Sequence, residues 1–165
     1  MSSVDLNVTK WGLQFAGRFF PASIGKNGIT ANKREGDNAT PIGNHQITSV
    51  LYRPDRVIKP CAWAKIIKPY DIWSDDVKDP NYNMIGKRPY EYRHEVLSRP
   101  DPLYDVILLT NWNWPIPKKG MGSAIFVHSW RKPRHPTEGC IALASQHLLW
   151  ITKRLKPYSK IIIRQ

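Results

Sequence analysis

The chain has 165 residues, with 25 lysines and arginines against 13 aspartates and glutamates, a formal net charge of +12 at neutral pH. With 41% hydrophobic residues it reads as one domain, 1–165, with apolar mass for a core, and the excess charge points to anionic partners rather than to a fold. Two cysteines, Cys61 and Cys140, exclude a disulfide-rich scaffold, and no apolar run is long enough for a transmembrane helix.

The first ten residues carry neither a basic head nor a continuous apolar stretch of the kind that directs export, so a cytoplasmic location is expected; a trimmed signal would instead place the protein in the periplasm or cell wall. Val4, Leu6 and Val8 alternate with Asp5, Asn7 and Thr9, the pattern of a half-buried strand. Residues 12–17 read as a turn and 18–24 as a second strand. Gly25, Asn27 and Gly28 mark another turn, 33–37 a polar loop, and Thr40-Pro41-Ile42-Gly43 a tight turn into a strand at 45–51. Residues 63–68 suggest a short strand. Segment 69–102 is polar, aromatic and broken by prolines, with no clear period, and a long irregular segment of this kind is often functional. Val106–Leu109 and Ala124–Val127 read as buried strands. One helix is expected over 145–155, with Ser145 as N-cap, Leu148, Leu149, Thr152 and Leu155 on one face, and Pro157 as its stop. A last strand covers 160–164. The sum is a mainly β domain, a sandwich or open barrel of mixed sheets with one principal helix after Cys140.

The chemistry concentrates between Gly122 and Leu143. A strand pattern leads to His128, a basic loop with Arg131, Lys132 and Arg134 follows, and Thr137-Glu138-Gly139-Cys140 leads toward the helix. A thiol attacks as its thiolate, and a free cysteine near neutral pH needs a base or a positive surrounding. His128 can supply the base, and the loop supplies positive potential. Gly139, lacking a Cβ, allows two successive N–H groups to face a developing oxyanion. These are the parts for acyl transfer through a thioester. Other readings of the same residues are a small buried cysteine and a structural histidine, or a metal site from His128, His135 and Cys140, whose spacing matches no common zinc pattern. His94-Glu95 does not begin a metalloprotease motif, because Ser98 stands where the second histidine would be. Cys61, between Pro60 and Ala62 with no local histidine, reads as structural.

The segment resembles the signature of YkuD-like L,D-transpeptidases: a histidine at a strand end, a short loop, then Ser/Thr-x-Gly-Cys. Gly122 to Phe126 and Gly139 to Leu143 match one branch closely, as do Lys33-Arg-Glu-Gly-Asp37, Thr40-Pro-Ile-Gly43, residues 51–56 and 79–83, and Leu103-Tyr-Asp-Val106. The resemblance implies Cys140 as nucleophile, His128 as general base, Thr137 as a residue shaping the site, and backbone N–H groups of Glu138 to Cys140 as the oxyanion hole. In that family the group orienting the histidine is often a backbone carbonyl, which no sequence reveals. The chain departs from many members in carrying Glu138 before the Gly-Cys pair and Ala142 after it. A basic anchor for the substrate's carboxylates is therefore expected elsewhere, from Arg131 and Arg134 or from Lys33 and Arg34.

The resemblance further implies a peptidoglycan tetrapeptide as donor, cleaved between the diamino acid at position three and the terminal D-Ala. With water as acceptor this is L,D-carboxypeptidase activity, suited to a cytoplasmic enzyme of murein recycling; with an amine it is formation of a 3→3 crosslink. No cofactor or metal and no membrane insertion is expected. A competing reading is a nucleic-acid-binding module, from the charge and from Trp112 and Trp114 near Lys118 and Lys119, although no nucleic-acid signature motif accompanies them.

Overall fold

Alternation at the N-terminus produces the first hairpins. In the computed structural model, which describes residues 4–165, β1 (Leu6–Thr9) buries Leu6 and Val8 and pairs antiparallel with β2 (Gly12–Phe15), which pairs with β3 (Arg18–Ser23). Residues 1–3, the head of the expected 1–165 domain, lie outside the described residues. The expected turn at 12–17 is thus mostly strand, and only Ala16 and Gly17, both at positive φ, turn the chain. Val4 is exposed ahead of β1. The short parallel pair β4 (Ile29–Thr30) and β5 (Thr40–Pro41) precedes β6 (Gly43–Tyr52), and β7 (Lys65–Ile66) lies along the end of β6.

β6 is long enough to serve two neighbours. Its first half pairs with the last strand, β14 (Lys160–Ile163), and its second half with β11 (Val106–Thr110), the register slipping at Leu109/Thr110. Beyond β11 come β12 (Phe126–Ser129) and β13 (Ile141–Leu143), and β13 returns to β3. The eight strands β6, β11, β12, β13, β3, β2, β1 and β14 therefore close into a ring, with parallel joints at β1–β14 and β12–β13. The sheet is a closed barrel rather than an open one, because β6 supplies pairing partners on both edges, and closure leaves no unpaired edge within the ring.

Segment 69–102 is not wholly irregular. It forms a second sheet from β8 (Asp71–Ser74), β9 (Ile85–Lys87) and β10 (His94–Val96), in the order β10-β8-β9. These strands are three or four residues long, too short to show a period against the intervening loops. The fully buried β11 shows how the two sheets meet. Val106 and Leu108 pack in the core that holds Leu6, Val127 and Ile141, while Ile107 and Leu109 pack with Trp73, Leu97 and Phe126 beneath the small sheet. A strand with period-two side chains buried on both faces reads as a continuous apolar run.

The helix α1 (Ser145–Thr152) buries Leu148, Ile151 and Thr152 against the first core. Its N-cap is Ala144, without a side-chain cap; the Ser145 hydroxyl donates instead to Ser129 Oγ at 3.0 Å. The helix ends at Thr152, although Leu155 beyond it stays buried.

Candidate active site

The alternation of β12 and β13 decides where the functional side chains go. Val127 and Ile141 are register partners in the barrel core. Their neighbours must face the other way, and Phe126 and Cys140 accordingly pack with the cluster between barrel and small sheet. His128, paired in register with Ala142, shares that face. The imidazole on β12 and the thiol on the residue just before β13 thus open onto one cleft of about 660 Å³.

His128 is buried within the strand rather than beyond its end, and its Nδ1 lies 2.8 Å from the carbonyl oxygen of Ser129. A carbonyl only accepts, so Nδ1 carries the hydrogen and Nε2 keeps its lone pair. The Tyr104 ring stands edge-on against the imidazole, with centroids 5.2 Å apart. Burial pushes the His128 pKa down to about 4, only partly opposed by the Ser129 hydrogen bond. The Cys140 sulfur donates to Ala124 O at 3.0 Å and accepts the Phe126 N–H at 3.4 Å. Burial pushes the thiol up to about 12; the Phe126 N–H and the Lys33 charge favour the thiolate, and the charges of Glu95 and Glu138 oppose it. At neutral pH the pair is therefore an uncharged thiol beside an uncharged imidazole.

The turn before Cys140 is pinned on both sides of Glu138. Thr137 Oγ1 donates to the Cys140 carbonyl at 2.6 Å and accepts the Gly139 N–H at 3.1 Å. Thr40 Oγ1 donates to Gly139 O at 2.8 Å and accepts the Gly25 N–H at 2.9 Å. Gly139 adopts φ +141, and a Cβ there would sit 2.9 Å from Ala39 O. The expected pair of oxyanion donors is therefore reduced. Gly139 N–H is already engaged by Thr137, whereas Cys140 N–H has no protein acceptor among the described residues.

The expected basic anchors separate. Arg131 lines the cleft, as do Thr137 and Glu138. Arg134 does not; at φ +58 it directs its guanidinium to Trp11 O at 3.2 Å. Lys33 is buried, ion-paired with Asp37, and donates to Arg34 O at 3.0 Å. Its Nζ would lie 3.6 Å from a Cβ on Gly139, so it supports the Gly-Cys turn from behind. Burial would raise the Asp37 carboxyl, but the Lys33 ammonium and the N–H groups of Arg34 and Ala39 hold it below the usual carboxylate range. Arg34 bonds to Lys33 O at 3.1 Å and contacts Met121 Sδ. Lys33 and Arg34 are thus parts of the turn's scaffold and do not line the cleft.

Sequence reasoning missed Lys26, Glu95, Arg99 and Tyr104 on the cleft wall. Tyr104 stands inside the Leu103-to-Val106 motif, a signal that was available. Glu95 and Arg99 belong to segment 69–102, where no periodicity placed them. Cys61 is remote from the cleft and packs against the barrel core. Of the two tryptophans considered for nucleic acid, Trp112 is held by Met121 O at 3.0 Å and by the ring of His45, and Trp114 lies at the surface. Among the described residues no three His, Cys, Asp or Glu side chains converge on a point that a metal ion could occupy.

A closed mixed barrel with a small sheet packed on it, and a cysteine and a histidine sharing the cleft between them, defines a class of domain. The L,D-transpeptidase catalytic domain (YkuD) family model matches residues 12–163, and the chain belongs to that family. The family is one of enzymes acting on peptidoglycan peptides. Among solved structures the chain is similar to an L,D-transpeptidase from Mycobacterium smegmatis, at 14% identity and a TM-score of 0.44; the match covers 93% of this chain and 52% of that one, so this chain spans about half its length. No curated protein matches the chain. No helix among the described residues is long and apolar enough to cross a membrane.

Proposed function

We propose that the domain cleaves the L,D bond between the position-three diamino acid and the terminal D-Ala of peptidoglycan tetrapeptides, through a thioester on Cys140, with water as the final acceptor. The observation that carries this reading is the Cys140–His128 pair on one cleft, with the imidazole tautomer set by Ser129 O.

His128 Nε2 takes the thiol proton as Sγ bonds to the scissile carbonyl carbon. The oxyanion so formed is met by Cys140 N–H, a donor already fixed in place by the turn. Collapse breaks the C–N bond, and the proton on His128 passes to the departing D-Ala amine. Water then attacks the thioester, His128 takes its proton, and the sulfur leaves to regain it. The uncharged resting pair fits concerted proton transfer, in which the thiolate forms only as the sulfur attacks. The open cleft gives water access to the thioester, and water outnumbers any amine acceptor. Arg131 on the wall is suited to the substrate's carboxylates. Hydrolysis of soluble muropeptides suits murein recycling in the cytoplasm, the setting we propose; with a second stem as acceptor the same thioester would give a 3→3 crosslink.

Incubation with disaccharide-tetrapeptide and mass analysis of the products tests the reading. Tripeptide plus free D-Ala is the expected result, and crosslinked dimer as the main product overturns the choice of acceptor. Cys140→Ala should abolish D-Ala release while leaving the fold intact.

A further inference from the structure

Glu95 is a carboxylate that the scheme above does not use. It sits on β10 opposite Trp73, in the small sheet's wall of the cleft. The Tyr104 hydroxyl donates to its Oε2 at 2.9 Å. Its second oxygen, Oε1, has no protein donor among the described residues. The Arg99 charge favours its ionised form, but no cationic side chain among the described residues forms an ion pair with it. The Arg99 guanidinium is taken by Asp101 through bonds of 2.9 and 2.6 Å, and neither Lys26 nor Arg131 forms an ion pair with it. Glu138, the other acid of the cleft, is exposed on the rim and has no such fixing bond. Glu95 is therefore half-buried, oriented, and short of one partner. Its charge also works against the thiolate at Cys140, so the empty cleft carries a negative charge that disfavours the first chemical step.

A group that supplies both a donor to Oε1 and a directly paired positive charge is an alkylammonium. We infer that Glu95 is the recognition residue for a free ammonium group at the end of the donor's position-three side chain. The inference rests on the L,D-acyl-transfer reading and adds to it a specificity-determining residue, one that separates stems with an unblocked side-chain amine at position three from stems in which that amine is acylated. A bound ammonium would donate to Oε1 and cancel the carboxylate's effect on the sulfur, so the right substrate removes the obstacle to its own cleavage. A neutral or acylated side chain would cover the Glu95 carboxylate without pairing it, and a polar group that a ligand desolvates but leaves unpaired discriminates strongly between related ligands.

The test uses two tetrapeptides, one with the side-chain amine free and one with it N-acetylated, and the full chain. The wild-type kcat/KM is expected to favour the free amine by about tenfold or more, the scale of a charge-assisted hydrogen bond. In Glu95→Gln, which keeps an acceptor for Tyr104, that ratio should fall toward one, chiefly through KM. Tyr104→Phe, which keeps the Glu95 charge, should retain the preference. A ratio in Glu95→Gln equal to wild type overturns the inference, and so does an equal loss on both peptides, which would mean that Glu95 acts only through Tyr104 on His128. Calorimetric binding of both peptides to Cys140→Ala separates this from the proposed reaction. Tighter binding of the free amine that Glu95→Gln abolishes, with no D-Ala released by wild type from either peptide, sustains the ammonium site and sinks the reaction. Release of D-Ala from both peptides at equal kcat/KM sustains the reaction and sinks the site.

Discussion

Cys140 and His128 line one cleft as neutral groups because burial acts on them in opposite directions, raising the thiol and lowering the imidazole. Each loses the water that would stabilise its charged form. This distinguishes the pair from a preformed thiolate–imidazolium pair, and the difference is measurable. Alkylation of Cys140 by iodoacetamide, followed by the mass of the Cys140 peptide between pH 5 and 10, should be slow through neutrality and climb steadily toward alkaline pH. A plateau beginning near pH 5 would show that the ion pair exists at rest. Cys61, also raised by burial, provides the internal comparison. At this scale the sequence was informative where the chemistry is local. The residues from His128 to Cys140 lie in one contiguous stretch, so their types and spacing can be read directly. Glu95 and Arg99 reach the same cleft from a different sheet, and no local pattern connects them to Cys140. Lys33 and Arg34 have the right charge for anchors, but charge does not reveal whether a side chain points into a cleft or beneath a turn.

The turn 137–140 is held from within and by residues of three other segments. Thr137 bridges Gly139 and Cys140, Thr40 bridges Gly25 and Gly139, and Lys33 lies beneath. Gly139 is the position with least tolerance, since its φ of +141 and the Ala39 carbonyl both oppose a side chain. Gly139→Ala should lose D-Ala release by at least about tenfold and cost roughly 1–3 kcal/mol of stability, read from product assays and urea unfolding on one preparation. Retention of full activity would mean that the turn relaxes without moving Cys140. Elements with a clear apolar pattern, such as β1, β11 and α1, were legible because burial on one or both faces leaves a period in the sequence. β2 and the sheet β8–β10 were not. Gly12 and Gly17 frame β2 with turn residues, and strands of three or four residues give alternation too little length. The missing cap on α1 has a similar origin, because a competing hydroxyl from another strand took the serine that local sequence offered to the helix.

Ring closure ties the site to the stability of the whole molecule. β14, the last strand, lies between β1 and β6, while β12 and β13 lie across the ring, so His128 on β12 and Cys140 at the entry to β13 hold their buried setting only while the barrel is shut. That setting has a pH signature. His128 has a folded pKa of about 4 against 6.5 for an unfolded imidazole. Above pH 6.5 both states are neutral and the full stability is present. Between 6.5 and 4 the unfolded chain binds a proton that the folded chain refuses, so stability falls as pH falls, by about 3 kcal/mol at the lower limit. His45, lowered by burial, adds a loss of the same sign. Glu95 acts in the opposite direction: burial raises its carboxyl, so the folded state is relieved as that group protonates. The depressed carboxyls of Asp37 and Asp101 release their stabilisation only below the usual carboxylate range, outside this window. Urea unfolding at pH 7, 6, 5 and 4.5 should therefore show a progressive loss in wild type. His128→Asn, whose amide nitrogen takes the place of Nδ1 and can still donate to Ser129 O, should flatten most of that slope while abolishing D-Ala release. An unchanged slope in the variant would mean that the acid sensitivity arises elsewhere in the barrel and that the imidazole is less sealed from water than its packing indicates.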